Sequence, residues 1–270
     1  MSDANVIPGA YSSRFAAGFG WYVRRLLRRS FHAVRLARGS GEILSAAADH
    51  EGPLILCMSH SSWWDPLVGV LLGRTYFPER SACAPMDREQ LRKFAFFRRL
   101  GLFGIEPDDP ASLSAMKSYV AARFAAEPRP TLYLTPQGGF VDPRAPIELR
   151  PGAAAVASAT PGCRVLAVAF EYAFWLDQRP EVFIRCEAVP SGKFGSTASW
   201  QRGMISAMRR NGSALSELVI ARDPNAFTIL IGGGGRINPF YDAWLRLRGR
   251  SVSIDSARVN TPRPSRKAAA

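Results

Sequence analysis

Lysine, histidine, cysteine and long uncharged runs are all scarce in this sequence, and each scarcity excludes something. Only four of the 35 basic residues are lysines (Lys93, Lys117, Lys193 and Lys267); the rest are arginines. The longest stretches free of Asp, Glu, Lys and Arg are Gly52–Trp64 and Pro151–Cys163, each of 13 residues. A membrane-spanning helix needs about 18 or more apolar residues, so no complete span is expected. The first twenty residues lack a basic segment followed by an apolar core, so no secretory signal is expected either. Four cysteines (Cys57, Cys83, Cys163, Cys186) lie far apart with no C-x-x-C spacing. That pattern argues against a disulfide framework or a structural zinc, and for a reducing, cytoplasmic compartment. The three histidines are His32, His50 and His60. The first sits among arginines and the second in a polar turn, so both read as incidental.

What is present in excess is positive charge. The formal net charge is +13 and the sequence pI about 10.3. With 47% hydrophobic and 21% charged residues the chain can bury a core, which excludes whole-chain disorder. Two readings of the charge stand side by side. One is an arginine-biased composition; the other is attraction to an anionic partner, whether nucleic acid, phospholipid surface or phosphate-bearing substrate.

The segments divide as follows. Residues 1–11 read as a flexible leader. From Ser12 to Gly39 the apolar residues recur at three- and four-residue steps (Phe15, Phe19, Tyr22, Val23, Leu26, Leu27, Phe31, Val34), with Arg14, Arg24, Arg25, Arg28, Arg29, Arg35 and Arg38 between them. This predicts a basic amphipathic helix over 12–39, lying either in a lipid interface or with its stripe on the protein's own core. Over 40–250 short apolar runs alternate with helical patterns. Strands are expected at Leu54–Met58, Leu102–Ile105, Thr131–Thr135, Val165–Phe170 and Val182–Ala188. Helices are expected at Arg88–Leu100, Ser112–Ala126, Gly152–Ala159, Trp200–Arg210 and Ser213–Arg222. That alternation predicts an α/β fold, a central mixed and mostly parallel sheet flanked by helices. Residues 251–270 read as a disordered tail.

Chemistry concentrates in two places. His60 closes the apolar run Leu54–Met58 and precedes Ser61-Ser62-Trp63-Trp64-Asp65. In open α/β sheets ligands bind beyond the carboxyl ends of strands, where a neutral imidazole can take a proton from an attacking hydroxyl. A carboxylate five residues on, Asp65, can hold the other ring nitrogen, the division of labour found in a Ser–His–Asp triad. A structural histidine capping a helix is the bland alternative. The second place is Thr135-Pro136-Gln137-Gly138-Gly139-Phe140, after another strand, where glycines permit close backbone approach to a ligand. Downstream, Arg150-Pro151-Gly152-Ala153-Ala154 sets a cation at the start of a small-residue helix.

Taken in order, these motifs resemble the glycerolipid and lysophospholipid acyltransferase family, of the 1-acylglycerol-3-phosphate acyltransferase type. The hallmark His–four residues–Asp is similar to Ser59-His60-Ser61-Ser62-Trp63-Trp64-Asp65. The family's Phe-Pro-Glu-Gly-Thr-Arg resembles Leu134-Thr135-Pro136-Gln137-Gly138-Gly139, and its basic-Gly-Ala-Ala helix start resembles Arg150–Ala154. An apolar strand follows, like Val165–Phe170. The likeness covers roughly residues 50–172. The departures are Gln137 for the family's Glu, Gly139-Phe140 for its Thr-Arg, and Pro107 where its second motif ends in an Arg that holds the acceptor phosphate.

The resemblance implies transfer of a fatty acyl group from a thioester, on coenzyme A or acyl carrier protein, to a lipid hydroxyl or amine. His60 is implied as general base and Asp65 as its orienting partner. Gln137, Gly138, Gly139, Arg150, Trp63 and Trp64 are implied as substrate-binding, with the tryptophans lining an acyl path or packing in the core. No metal and no cofactor beyond the acyl-thioester co-substrate is implied. The expected partners are membrane lipids, acyl-CoA or acyl carrier protein, and not nucleic acid; the expected location is the cytoplasmic face of the membrane, peripheral or monotopic. Two other readings are a non-catalytic membrane-binding relative, prompted by Gln137, and an acyl-thioesterase. A nucleic-acid-binding protein has only the pI behind it.

Overall fold

A computed structural model describes residues 6–175, 177–190, 195–232, 244 and 247–248. The expected α/β fold is present. The elements run α1 (Ser13–Ser30), β1 (Ala33–Ala37), α2 (Ser40–Ala48), β2 (Leu54–Met58), α3 (Asp65–Tyr76), β3 (Ser81–Asp87) and α4 (Arg88–Lys93). A 3-10 turn (Ala95–Leu100) leads into β4 (Leu102–Ile105), α5 (Pro110–Ala126), β5 (Pro130–Leu134), α6 (Gly152–Ser158), β6 (Arg164–Ala173), β7 (Glu181–Val189), α7 (Thr197–Ala221) and β8 (Phe227–Gly232). The eight strands form one sheet in the order β4-β3-β5-β2-β6-β7-β1-β8. Pairing is parallel except for β6 with β7 and β1 with β8.

Strand β2 shows why its run of Leu-Ile-Leu-Cys-Met is uninterrupted by polar residues. It lies between β5 and β6 with helices on both faces, so neither face has a solvent side. Leu54, Leu56 and Met58 join one core with Val23 and Leu27 of α1 and Val68 and Leu72 of α3. Ile55 and Cys57 join the opposite core with Met116 of α5, Ala154 of α6 and Met204 of α7. The four cysteine thiols are free and buried. Burial pushes Cys57, Cys83 and Cys186 up to about 12 and Cys163 up to about 11, so they remain neutral thiols near pH 7.

The N-terminal helix is shorter than the 12–39 expected. It starts as predicted, with the Ser12 hydroxyl accepting from the Phe15 N–H, but ends at Ser30, and Phe31 is extended. Residues Ala33–Ala37 are instead a fully buried strand between β7 and β8. Helical spacing cannot distinguish the two, because Phe31 and Val34 extend a three-residue pattern that a buried strand also satisfies. Long-range pairing decides it: the Arg35 guanidinium bonds Glu181 at the start of β7 and lies 5.2 Å over the Trp175 ring. The helix's apolar stripe (Ala16, Gly20, Val23, Leu27) is buried against the protein's own core. Its opposite face leaves Trp21, Tyr22, Arg24, Arg25, Arg28 and Arg29 exposed.

Other elements also differ from expectation. Of the presumed leader 1–11, the described part is docked: Ile7 bridges to Gly104, and the Gly9 N–H donates to the Tyr119 hydroxyl at 2.9 Å. The helix expected over Arg88–Leu100 breaks at Phe94 into α4 and the 3-10 turn. The two helices expected around residues 200–222 are one, because the buried Asn211 amide donates to the Ala167 and Arg185 carbonyls of the sheet and has no need of a chain break. The tail 251–270 lies outside the described residues.

Removing one partner of a buried ion pair leaves the other charge uncompensated. Arg35→Ala is therefore expected to destabilise the fold by about 3–5 kcal/mol, read as a lower midpoint in urea unfolding. A smaller loss than on exposed Arg28→Ala would show that the pair does not anchor β1.

Candidate active site

Strands β2, β5 and β6 are adjacent and parallel, so their carboxyl ends open on one edge of the sheet. The residues that follow β2 and β5, and the last residues of β6, meet there. The chain leaves β2 pinned: the Ser59 N–H donates to the Val168 carbonyl, and the Ser59 hydroxyl accepts from the Phe170 N–H. It then turns into α3, whose first two residues are Asp65 and Pro66. Proline is tolerated at a helix start because its missing N–H would find no helical partner there.

Asp65 is fully buried, and every donor it needs comes from close by or from β6. Its Oδ2 accepts from the Ser61 N–H (2.7 Å), the Ser62 N–H (2.8 Å) and His60 Nδ1 (3.1 Å). Its Oδ1 accepts from the Tyr172 hydroxyl at 2.5 Å. A carboxylate only accepts, so the proton of neutral His60 sits on Nδ1 and the Nε2 lone pair is left free. No described residue bonds Nε2. Burial, and then the neighbouring Asp65 charge, push the Tyr172 phenol far above its ordinary range, so it stays protonated and able to donate. Asp65 thus orients a base whose Nε2 has no partner among the described residues.

The loop after β5 forms the other side. The Gln137 Oε1 accepts from the His60 N–H at 3.3 Å, and the Val141 N–H donates to the His60 carbonyl at 2.7 Å. Gly138 adopts φ +77, a backbone angle that favours glycine, and a Cβ there would press on the Arg150 side chain, which would have to shift. The Phe140 ring lies 4.4 Å from the imidazole and is 64% exposed. Behind Gln137, between β6 and α7, a cleft is lined by Phe170, Glu171, Met208, Gly212, Leu215 and Ser216 among others.

The predicted site residues divide. His60, Asp65 and Gln137 come together. Gly138 and Arg150 touch each other, but the guanidinium turns away to the Pro107 carbonyl (2.8 Å) and Asp108 (3.1 Å). Gly139 faces open space. Trp63 is 66% exposed beside the site, whereas Trp64 packs edge-on against Phe31 at 4.9 Å and belongs to the core. No family model matches the chain, and no curated protein matches it by sequence. The reading of the site therefore rests on its geometry. Among the described residues, no group of three or more His, Cys, Asp or Glu side chains is placed to hold a metal ion.

Two residues escaped the sequence reading. Tyr172 lies 107 positions beyond Asp65 and past the end of the apolar run Val165–Phe170, so nothing local links it to the carboxylate. Phe140 was visible only as a departure from a family pattern.

Two outcomes test this arrangement. Nitrogen-15 NMR of the wild-type protein should show neutral His60 as the Nδ1–H tautomer, and Asp65→Asn, whose amide can donate to Nδ1, should populate the Nε2–H form. Tyr172→Phe strands a buried carboxylate oxygen and should cost about 1–3 kcal/mol in denaturant unfolding. An unchanged tautomer in Asp65→Asn would break the assignment.

Proposed function

We propose that this protein is a membrane-associated acyltransferase that moves a fatty acyl group from an acyl thioester, on coenzyme A or acyl carrier protein, to a lipid hydroxyl. The observation that carries the reading is the His60–Asp65 pair at the carboxyl ends of β2, β5 and β6, with Nε2 unbonded. It agrees with the motif order that resembles the lysophospholipid acyltransferases.

In this reading the acceptor hydroxyl oxygen attacks the thioester carbonyl carbon while His60 Nε2 takes its proton. Asp65 balances the imidazolium that forms. The C–S bond then breaks, the imidazolium returns its proton to the departing sulfur, and ester and free thiol leave. No covalent acyl-enzyme is needed, and the buried, neutral Cys57 is not a nucleophile. The carbonyl oxygen becomes an oxyanion and needs preorganised donors. The N–H groups of Ser61 and Ser62 are already given to Asp65, and that of Gly138 to the Thr135 carbonyl. The Gly139 and Phe140 N–H groups have no partner among the described residues, and in this reading they are the candidate oxyanion donors.

Attachment to lipid does not use the α1 stripe, which is committed to the core. It uses the outer face, where Trp21 and Tyr22 stand among Arg24, Arg25, Arg28 and Arg29. Aromatic rings at the headgroup level and arginines near anionic lipid are each favourable there. No helix among the described residues is long and apolar enough to cross a membrane.

His60→Ala should abolish thiol release from long-chain acyl-CoA or acyl-acyl carrier protein in the presence of a membrane-lipid extract, with an unchanged circular dichroism spectrum. Full activity in that variant would end the mechanism, and wild-type release that needs no lipid would mark a thioesterase. Replacing Arg24, Arg25, Arg28 and Arg29 together by Gln should weaken sedimentation with anionic vesicles by about 1 kcal/mol per charge, and the wild-type binding should fall with salt. Binding that is unaffected would remove α1 from the membrane contact.

A further inference from the structure

Phosphate-bearing ligands are held by cations with free donors, most often arginine presenting two N–H groups at once. The mouth of the site offers the reverse. The imidazole is flanked by the exposed ring of Phe140, and Trp63, three residues beyond His60, presents a second exposed ring. Two arginines of the loop that follows β5 are paired with acids of this chain. Arg144 makes two 3.0 Å bonds to Asp142. Arg150 is held by Asp108 and the Pro107 carbonyl while lying against Gly138.

The cleft behind Gln137 points the same way. Among the described residues the charged side chain in its lining is Glu171, held by the Ser216 hydroxyl at 2.8 Å. A phosphate brought to that edge of the site would meet this carboxylate.

We infer that the acyl acceptor is a neutral lipid alcohol, a hydroxyl on an uncharged apolar or glycosyl-type molecule, and not a lysophospholipid carrying a phosphate beside its reacting hydroxyl. This rests on the acyl-transfer reading above and adds the substrate class. The reaction is ester formation: the alcohol O–H proton passes through His60 to the thiolate, the C–S bond is exchanged for a C–O bond, and no further reactant is consumed.

The test uses the full chain with oleoyl-CoA, or oleoyl-acyl carrier protein, and two acceptors of equal chain length in the same mixed micelles: 1-oleoylglycerol and 1-oleoylglycerol 3-phosphate. Products are read by mass spectrometry. The neutral acceptor should be acylated with a kcat/KM at least about tenfold higher. Phe140→Arg, with Phe140→Ala as the control for folding and loss of the ring, should narrow or reverse that ratio, whereas Phe140→Ala should not favour the phosphate. Equal or better use of the phosphate-bearing lipid by the wild type would overturn the inference. A binding arm separates this from failure of acyl transfer itself: His60→Ala is titrated with each lipid and followed by tryptophan fluorescence. Tighter binding of the neutral lipid without turnover by the wild type would uphold the neutral site and sink acyl transfer. Tighter binding of the phosphate-bearing lipid would sink the site.

Discussion

One fully buried carboxylate organises this end of the molecule. Asp65 has no access to water, so each of its lone pairs must be met from within the protein, and a vacancy there would be costly. Two donors come from the backbone turn that precedes it, one from the His60 ring and one from Tyr172 on β6. Meeting that demand fixes the path from β2 into α3, the tautomer and tilt of the imidazole, and the docking of α3 against β6. The same bonds that satisfy the buried carboxylate thus leave Nε2 as the ring nitrogen with no partner among the described residues.

The rest of the fold supplies the platform. Parallel pairing of β2 with β5 and β6 brings three strand ends to one edge, and only residues at such ends can converge from distant parts of the chain. Cores on both faces of β2 hold that edge rigid. On the outer side the loop after β5 is tied to His60 through Gln137 and Val141, so the base and the loop that faces it move as one unit. The charges are distributed unevenly: Arg24, Arg25, Arg28 and Arg29 of α1 are exposed, while Arg144 and Arg150 of the loop after β5 are paired with Asp142 and Asp108.

Much of this was legible in the residues. Continuous apolar runs marked β2 and the start of β6, because strands covered on both faces carry no polar alternation. The His60–Asp65 spacing announced its own geometry, since five residues across a turn into a helix are a local matter. Legibility failed where the deciding contact was remote. Ala33–Ala37 read as helix until Arg35 met Glu181, 146 residues away. Strands β3 and β8 went unmarked: β3 is mostly only partly buried and carries a weak apolar signal, whereas the apolar run Phe227–Ile231 of β8 was passed over. Arg150, expected at the site by its position before Gly152, lies against Gly138 and is paired with Asp108, a contact the sequence does not display.

By itself the sequence determined the fold class, the start of α1 at Ser12, and the pairing of His60 with Asp65, because hydrophobic pattern, a side-chain cap and a five-residue turn are all local physics. Tertiary structure alone decided that α1 stops at Ser30, that Tyr172 completes the carboxylate's partners, that Trp63 is exposed while Trp64, in edge-on contact with it, packs against Phe31, and that Phe140 lies against the base. Each of those depends on which segments are brought together across the sheet. Side-chain chemistry states what a residue needs, and only the assembled fold determines which neighbour provides it.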